Sequence, residues 1–293
     1  MAFLGGHSQA VLMFGGVCGS EILCSDDSSD RLTWELTSDN TWAPVKPPEV
    51  GGMDEVSWPK PRKESTMASL WTEQVPGALD SPYTVVMLGG LDGTNSVIRE
   101  TWTYGKKKDA DHSTWRLHTP DETPIDRAMF SMAQVPGEKT ALLFGGSVAV
   151  ADQHATVGLR DNELANDTWT FKESSNSWKK VAYIAGTIRP PPRNWHQLAG
   201  LSNGTVLLFG GSGCSATESG VCQKTKLLND TWLFDLVSGT WSKPKVTSKF
   251  IPSARQYHAM SRLSENHVVM FGGVVVDEKD TVSFFSSPSC WCC

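Results

Sequence analysis

The sequence contains no apolar run close to the roughly 20 residues that a membrane-spanning helix requires. It also lacks a surplus of basic residues, since its formal net charge is -6, which disfavours nucleic acid and anionic membranes as partners. The N-terminal residues Met1 to Gln9 lack the basic start and small-residue cleavage site of a signal peptide. These absences predict a cytoplasmic protein without membrane insertion.

Motifs for phosphate binding and nucleophilic catalysis are absent as well. Neither GxxxxGK[ST] nor GxGxxG occurs, and no nucleophile elbow is found. Cysteine and histidine are not grouped with the spacing of a zinc site. We therefore expect no cofactor, no metal and no catalytic residues.

The chain is instead rich in glycine (26) and tryptophan (12) and shows no helical periodicity, which indicates short strands joined by tight turns. A Gly-Gly pair follows an apolar strand five times, at intervals of 74, 56, 65 and 62 residues. The five pairs are Gly15 and Gly16, Gly89 and Gly90, Gly145 and Gly146, Gly210 and Gly211, and Gly272 and Gly273. The sequence is therefore an internal repeat with loops of variable length.

Three segments that end in these glycines align without a gap: 1–16, 196–211 and 258–273. In each, an apolar strand reaches a polar turn, and a second apolar strand then ends in Gly-Gly. This pattern predicts a β-hairpin in every repeat.

Two further strands are marked by tryptophan. The third strand carries Thr-Trp, at Trp34, Trp102, Trp169 and Trp232, and the fourth carries Trp42, Trp115, Trp178 or Trp241. At the end of the chain, Asp280 to Phe284 matches the third strand and Trp291 stands where the fourth-strand tryptophan is expected. The fifth repeat is thus predicted to be present but degenerate.

Four markers in constant order resemble the kelch repeat over nearly the whole chain. The resemblance implies an all-β propeller of about five four-stranded antiparallel blades, in one domain over residues 1–293. The blades would cover approximately 1–50, 61–120, 126–183, 192–246 and 254–293. Kelch propellers usually have six or seven blades, so either five blades close or the propeller is partial and open within a longer chain. We favour the second alternative.

The glycines and tryptophans are expected to be structural. Glycine reaches φ > 0 where neighbouring blades crowd, and the tryptophans would pack between blades. Asp167, Asp230 and Asp280 open the third strand, where a carboxylate can accept backbone N–H groups of the preceding turn.

Arginines precede the first strand, at Arg62, Arg127, Arg193 and Arg255, and two are followed by an aromatic residue and a histidine: Trp195 and His196, Tyr257 and His258. Because the resemblance makes the first strand innermost, these candidate partner-binding residues lie near the mouth of the central channel. Either they hydrogen-bond loop carbonyls between blades, or the guanidinium groups bind carboxylates of an acidic peptide.

Cysteines flank two loops at equivalent places, Cys18 with Cys24 and Cys214 with Cys222. Disulfides, free thiols and metal binding are all open, and disulfides would require an oxidising compartment. Paired cysteines would favour an extracellular location.

The function predicted is a non-catalytic scaffold that binds a partner protein or acidic peptide. In an antiparallel meander the second-to-third-strand loops share a face with the starts of the first strands, and long loops on a rigid scaffold usually carry binding. One alternative is an extracellular adhesion or receptor-type propeller with loop disulfides. Another is a copper enzyme that resembles galactose oxidase, for which only Tyr257, next to His258, is suitably placed.

Overall fold

A computed structural model of the chain describes residues 2–4, 10–18, 22–23, 33–36, 39–45, 58–70, 85–106, 113–124, 126–151, 157–202, 204–218, 221–276, 282–284 and 288–292. Within these residues the regular structure is β-strand, apart from one turn of 3-10 helix at Glu173–Ser175. No helix of the described chain is long and apolar enough to cross a membrane.

The strands form successive antiparallel sheets, one for each repeat, which we call blades 1 to 5. Blade 1 consists of β1 (Ala2–Leu4), β2 (Ala10–Phe14), β5 (Thr33–Leu36) and β6 (Trp42–Val45), with the hairpin β3 (Val17–Cys18) and β4 (Ile22–Leu23) after its second strand. Blade 2 consists of β7 (Thr66–Ser69), β8 (Val85–Leu88), β9 (Thr101–Lys106) and β10 (Ser113–His118).

Blades 3 and 4 each carry an additional three-stranded sheet. Blade 3 consists of β12 (Ser131–Gln134), β13 (Thr140–Phe144), β16 (Thr168–Lys172) and β17 (Ser177–Lys180), and its additional sheet of β11 (Arg127–Ala128), β14 (Ser147–Ala151) and β15 (Val157–Leu164). Blade 4 consists of β19 (Gln197–Ser202), β20 (Thr205–Phe209), β23 (Thr231–Asp235) and β24 (Thr240–Ser242), and its additional sheet of β18 (Arg193–Asn194), β21 (Ser212–Glu218) and β22 (Val221–Leu227).

Blade 5 has three described strands, and its order differs from the prediction. They are β25 (Ala259–Ser264), β26 (His267–Phe271) and β29 (Pro288–Cys292), while β27 (Val274–Val276) and β28 (Val282–Phe284) form a separate hairpin. The expectation that 280–284 is the third strand and that Trp291 marks the fourth is wrong, because β29 pairs directly with β26 and places Trp291 opposite Val268. Val282 stands where the other repeats have tryptophan, so this segment lacks the aromatic side chain that packs the third strand between blades.

Apolar layers between consecutive blades form the core. The second strands of blades 3 and 4 are buried on both faces, since each of these sheets is covered on both sides by a neighbour. Phe144, for example, lies in one cluster with Leu208 and Trp241 of the next blade. The inner strands contact one another in series, in the order β1, β7, β12, β19 and β25. The predicted β-propeller is confirmed.

The fourth-strand tryptophan joins each blade to the one before it. Its indole N–H donates to the threonine of the preceding blade's Thr-Trp pair, at 3.0 Å from Trp115 to Thr33, 3.0 Å from Trp178 to Thr101 and 2.9 Å from Trp241 to Thr168. Trp42 of blade 1 differs, because its side chain is 43% exposed and no described blade precedes it.

The Gly-Gly pairs receive a carbonyl oxygen of the next blade. Gly210 has φ +66°, and a Cβ added there would lie 2.7 Å from the carbonyl oxygen of Arg255. The amide of Gly211 donates to the same oxygen at 2.9 Å. Glycine is required because the backbone conformation and the close approach both exclude a side chain.

Replacing Trp241 by alanine is expected to lower the free energy of unfolding by about 3 to 5 kcal/mol, because a buried indole and its hydrogen bond are lost. The matched variant Trp42→Ala removes the same side chain from an exposed site and should cost about 1 kcal/mol or less. Urea unfolding followed by circular dichroism measures both. Equal losses for the two variants would contradict the packing described for blade 4.

Candidate functional site: arginine clusters and the loop face

A buried arginine stands at the start of the inner strand in blades 2 to 5. In blade 4 the Nη1 of Arg193 donates to the Gly210 carbonyl oxygen at 3.0 Å and to Oδ1 of Asp230 at 2.7 Å, and its Nη2 donates to Oδ2 of Asp230 at 2.8 Å. The indole of Trp232 donates to the same carboxylate at 2.7 Å. One guanidinium group thus joins the first, second and third strands of its blade.

The other blades repeat this arrangement with small changes. In blade 3, Arg127 contacts the Gly145 carbonyl at 3.0 Å and Asp167 at 2.7 and 2.9 Å. In blade 2, Arg62 contacts the Gly89 carbonyl at 3.2 Å and Glu100 at 2.6 Å. In blade 5, Arg255 donates to the Gly272 carbonyl at 2.9 Å. The acidic residue at the position of Asp167 and Asp230 is Asp280 in blade 5, and it lies outside the described residues.

The carboxylates of these clusters are held in the ionised form. Burial alone would raise the pKa of Asp230, but the hydrogen bonds and charge of Arg193 outweigh it and lower that pKa below its usual value. The same balance between burial and Arg127 lowers the pKa of Asp167. The clusters of blades 3 and 4 are therefore ion pairs at neutral pH.

The four guanidinium groups face inward and do not form an exposed ring. The arginines are at most 5% exposed and use their donors on acceptors of the same chain. This geometry resembles the alternative in which arginine bonds loop carbonyls, except that each guanidinium group bonds a carbonyl of its own blade and not one between blades. The carboxylates also differ from expectation, because those of Asp167 and Asp230 accept hydrogen bonds from arginine and tryptophan side chains.

Sequence reasoning missed Glu100, which takes the place of aspartate in blade 2. It accepts from Arg62 at 2.6 Å and from the Trp102 indole at 2.8 Å. The available signal was its position immediately before Thr101 and Trp102, where blades 3 and 4 have aspartate.

The second residue after each arginine has a left-handed backbone. Their φ values are +57° at Glu64, +60° at Met129, +51° at Trp195 and +59° at Tyr257. The amide of Met129 donates to the Glu64 carbonyl at 3.4 Å, that of Trp195 to Met129 at 2.9 Å and that of Tyr257 to Trp195 at 3.4 Å. The inner strands start beside these four residues. The four residues therefore form an arc of hydrogen-bonded backbone at the mouth of the channel. We call these four residues the mouth arc.

The two histidines that follow the arc are buried between blades. His196 and His258 are 0% and 2% exposed, and their rings contact Phe144 and Phe209 of the preceding blade edge-to-face, at 5.6 and 5.7 Å between centroids. Neither histidine ring makes a hydrogen bond of good geometry within the described chain. Burial, together with the nearby charge of Arg255, lowers the pKa of His258 to about 3.

Aromatic and aliphatic side chains are exposed on the same side of the propeller. Trp195 and Tyr257 of the mouth arc contact each other at 4.8 Å between ring centroids, and Tyr257 is 50% exposed. The connections from the fourth strand to the next first strand expose six more large apolar residues: Tyr183, Ile184, Ile188, Val246, Phe250 and Ile251. We call the side with the mouth arc, these connections and the second-to-third-strand hairpins the loop face.

Two long hairpins rise on the loop face. β14 with β15 and β21 with β22 are anchored by pairing with β11 and β18, the short strands that contain the buried arginines. The hairpins contact each other through β15 and β22. Cys214 and Cys222 are joined by a disulfide across the second hairpin, with a Cα–Cα distance of 5.5 Å.

The remaining predicted candidates are distributed as follows. Cys18 lies in β3, whereas its expected partner Cys24 lies outside the described residues, so that pairing stays a prediction. Among the described histidine, cysteine, aspartate and glutamate residues, no three are grouped so that they could hold a metal ion.

Asp230→Asn is expected to lower the free energy of unfolding by about 3 kcal/mol, because it leaves the Arg193 guanidinium buried without its counter-charge. The same substitution at the exposed Asp121 is the control and should change stability by less than about 0.5 kcal/mol. Chemical denaturation at pH 7.5 measures both. A loss at Asp230 no larger than that at Asp121 would contradict the structural role of the cluster.

The buried histidines are expected to make stability depend on pH. The lowered pKa of His258 means that the unfolded chain takes up a proton near pH 6.5 while the folded chain does not. The contribution of the neutral His258 to the free energy of unfolding is therefore complete above pH 6.5 and is lost as the pH falls from 6.5 toward about 3. Between pH 7.5 and 5 the loss from this residue should be about 2 kcal/mol.

His258→Asn should reduce that pH-dependent loss, because asparagine does not titrate. His267→Asn, at a histidine of the same blade that is not fully buried, serves as control and should retain the wild-type pH dependence. Urea unfolding at pH 7.5 and pH 5 measures the difference. If the free energy of unfolding of His258→Asn falls between pH 7.5 and pH 5 as much as that of the wild type, the His258 imidazole does not stay neutral in the folded chain.

Comparison with known proteins agrees with this architecture. The family model for the KLHDC2/KLHL20/DRC7 Kelch-repeats domain matches residues 78–291. The structure of YjhT superposes with a TM-score of 0.59 at 12% identity, over 99% of this chain and 81% of that chain, a likeness of fold.

Several relatives are similar in sequence. An F-box/kelch-repeat protein of Arabidopsis thaliana is 30% identical over 65% of this chain and 36% of its own length. Putative adagio-like protein 2 of Oryza sativa subsp. japonica is 25% identical over 89% of this chain and 41% of its length, and host cell factor of Drosophila melanogaster is 38% identical over 57% and 11%. The chain thus spans less than half the length of these relatives. With well over half of the chain matched by the family model, the repeated Gly-Gly, Thr-Trp and Trp markers have one explanation: this chain belongs to the kelch-repeat family.

Proposed function

We propose that this chain is a non-catalytic protein-interaction scaffold that binds a partner protein through its loop face. The observation that carries this proposal is the exposure of large apolar side chains around the mouth arc. Tyr257 is 50% and Phe250 is 88% exposed. Groups of exposed apolar residues on a folded protein commonly mark interaction sites, and tyrosine and tryptophan are enriched in them.

The rigidity of the surrounding scaffold supports the proposal. Trp195 and Tyr257 are held by backbone hydrogen bonds and lie two residues after the buried Arg193 and Arg255. Preorganised side chains lose little conformational freedom on binding, which favours affinity. The mouth arc therefore presents aromatic rings in a fixed position.

The second hairpin, β21 with β22, supplies basic side chains on the loop face. The disulfide between Cys214 and Cys222 limits the separation of β21 and β22. Exposed Lys224 and Lys226 lie on β22. An acidic segment of a partner would contact these lysines rather than the buried arginines, because only the lysine ammonium groups are accessible to a second molecule.

The test is affinity capture of partners from a lysate with the full chain as bait, followed by mass spectrometry. Partners of the wild-type chain should be depleted about tenfold or more by Tyr257→Ala combined with Phe250→Ala, since removal of exposed aromatic anchors typically costs at least 1.4 kcal/mol of binding energy.

Val237→Ala is the matched control. Val237 is 94% exposed but lies in the turn between β23 and β24, on the opposite face. It should retain every partner. The assignment of binding to the loop face would be refuted by either of two results. The double variant captures the same partners as the wild type, or Val237→Ala reduces capture by the same amount.

A further inference from the structure

The sides of the propeller carry a second surface, separate from the loop face. In blade 4 four residues cover the neighbouring blade 5: Ala199, Leu201, Leu207 and Phe209, all at most 5% exposed. The same positions of blade 5 are Ser261, Leu263, Val269 and Phe271. There Leu263 is 62% and Phe271 is 49% exposed. We call these four residues the Phe271 face.

Blade 1 is uncovered on its opposite side. In blade 4 the residues that pack against blade 3 include Val206, Leu208, Phe234 and Trp241, all at most 6% exposed. Their counterparts in blade 1 are Val11, Met13, Leu36 and Trp42. None of these four is buried, and Trp42 is 43% exposed. We call this set the Trp42 face.

The two faces are the halves of one repeated interface. At two blade junctions, those of blades 1 and 2 and of blades 3 and 4, a second-strand phenylalanine contacts the fourth-strand tryptophan of the next blade. Blade 2 has Leu88 at this position, in one cluster with Trp178 of blade 3. Phe14 lies 5.4 Å from Trp115 and Phe144 lies 5.0 Å from Trp241, between ring centroids. Phe271 presents the phenylalanine half and Trp42 the tryptophan half, so a kelch-type blade is complementary to both.

The two faces do not cover each other. Among the described residues, the inner strands contact in series from β1 to β25, and no comparable contact joins β25 to β1. β25 is exposed along most of its length, whereas β19 is largely buried. Within the described part of the chain, no strand therefore fills the space between the two faces.

The size of the space is indicated by the comparison with YjhT. Nearly all of this chain aligns with 81% of that chain, so about a fifth of YjhT has no counterpart here, close to the share of about one sixth that one blade takes in a ring of six. A second whole copy would bring blade 2 along with blade 1 into a space of this size. A single blade fits better.

We propose that the Phe271 face and the Trp42 face together bind one kelch-type blade supplied by another polypeptide segment. Its outer-strand tryptophan would contact Phe271, and its own second-strand phenylalanine would contact Trp42. The bound blade closes the ring and covers the apolar side chains that are exposed at both ends.

The experiment uses the full chain and, as the added blade, a peptide of residues 188–249 of this chain, which contains blade 4. Isothermal titration calorimetry should show binding with one peptide per chain. Hydrogen exchange should slow in β25 and β26 and in β5 and β6 upon binding. Phe271→Asp and Trp42→Asp should each weaken binding about tenfold or more, because a carboxylate would be buried against an apolar surface.

Val237→Asp, which places the same charge at a residue 94% exposed on another surface, should leave binding unchanged. Since the substituted residues are exposed, circular dichroism should show that all three variants stay folded. Absence of binding by a peptide that circular dichroism shows to be folded, or binding that neither Phe271→Asp nor Trp42→Asp weakens, would overturn the proposal.

Two measurements keep the test decisive if the peptide does not fold alone. Joining residues 188–249 to the C-terminus by a flexible linker should raise the Tm of the fused chain, and Phe271→Asp should remove the rise; an unchanged Tm counts against the proposal. The second measurement is the oligomeric state of the chain alone, by analytical ultracentrifugation. A dimer that dissociates in Phe271→Asp would assign this face to a second copy and overturn the single-blade proposal.

Discussion

The propeller depends on one buried arginine in each of blades 2 to 5. Its guanidinium group donates to the second strand of its own blade, and in blades 2 to 4 also to the acidic residue before the third, while its backbone carbonyl lies against the Gly-Gly pair of the preceding blade. A buried ion pair is costly to desolvate, so its contribution lies in fixing one arrangement of strands. The glycines are the other half of this contact, because a Cβ at Gly15, Gly145 or Gly210 would lie 2.6 to 2.7 Å from that carbonyl oxygen.

This arrangement separates stability from recognition. In blades 3 and 4 arginine and aspartate bond each other within the blade and the third-strand tryptophan bonds the same aspartate, while the fourth-strand tryptophan links successive blades. Side chains that remain exposed, such as Tyr257 and Phe250, take no part in these clusters. The loop face can therefore bind a partner without disturbing the interactions that hold the blades. The Phe271 face and the Trp42 face are a separate surface, complementary in shape to a kelch-type blade.

The sequence predicted the architecture because its markers are local. A strand followed by Gly-Gly, or by Thr-Trp, is visible within a few residues, and so is the hairpin between them. The arginine clusters could not be predicted with the same certainty, since Arg193 and Asp230 are 37 residues apart and meet only after three strands have paired. Glu100 has the same role as Asp230 but a different side chain. In blade 5 the sequence match of 280–284 to the third strand misled, because β29 and not β28 pairs with β26.

The mouth arc has an evolutionary consequence. Glutamate, methionine, tryptophan and tyrosine occupy the same structural position in blades 2 to 5, and in each case the hydrogen bonds that join neighbours come from the backbone. Mutation can therefore exchange acidic, aliphatic and aromatic groups beside the channel while the amide and carbonyl contacts persist. A new ligand preference can arise there through single substitutions, with little selection against them from folding.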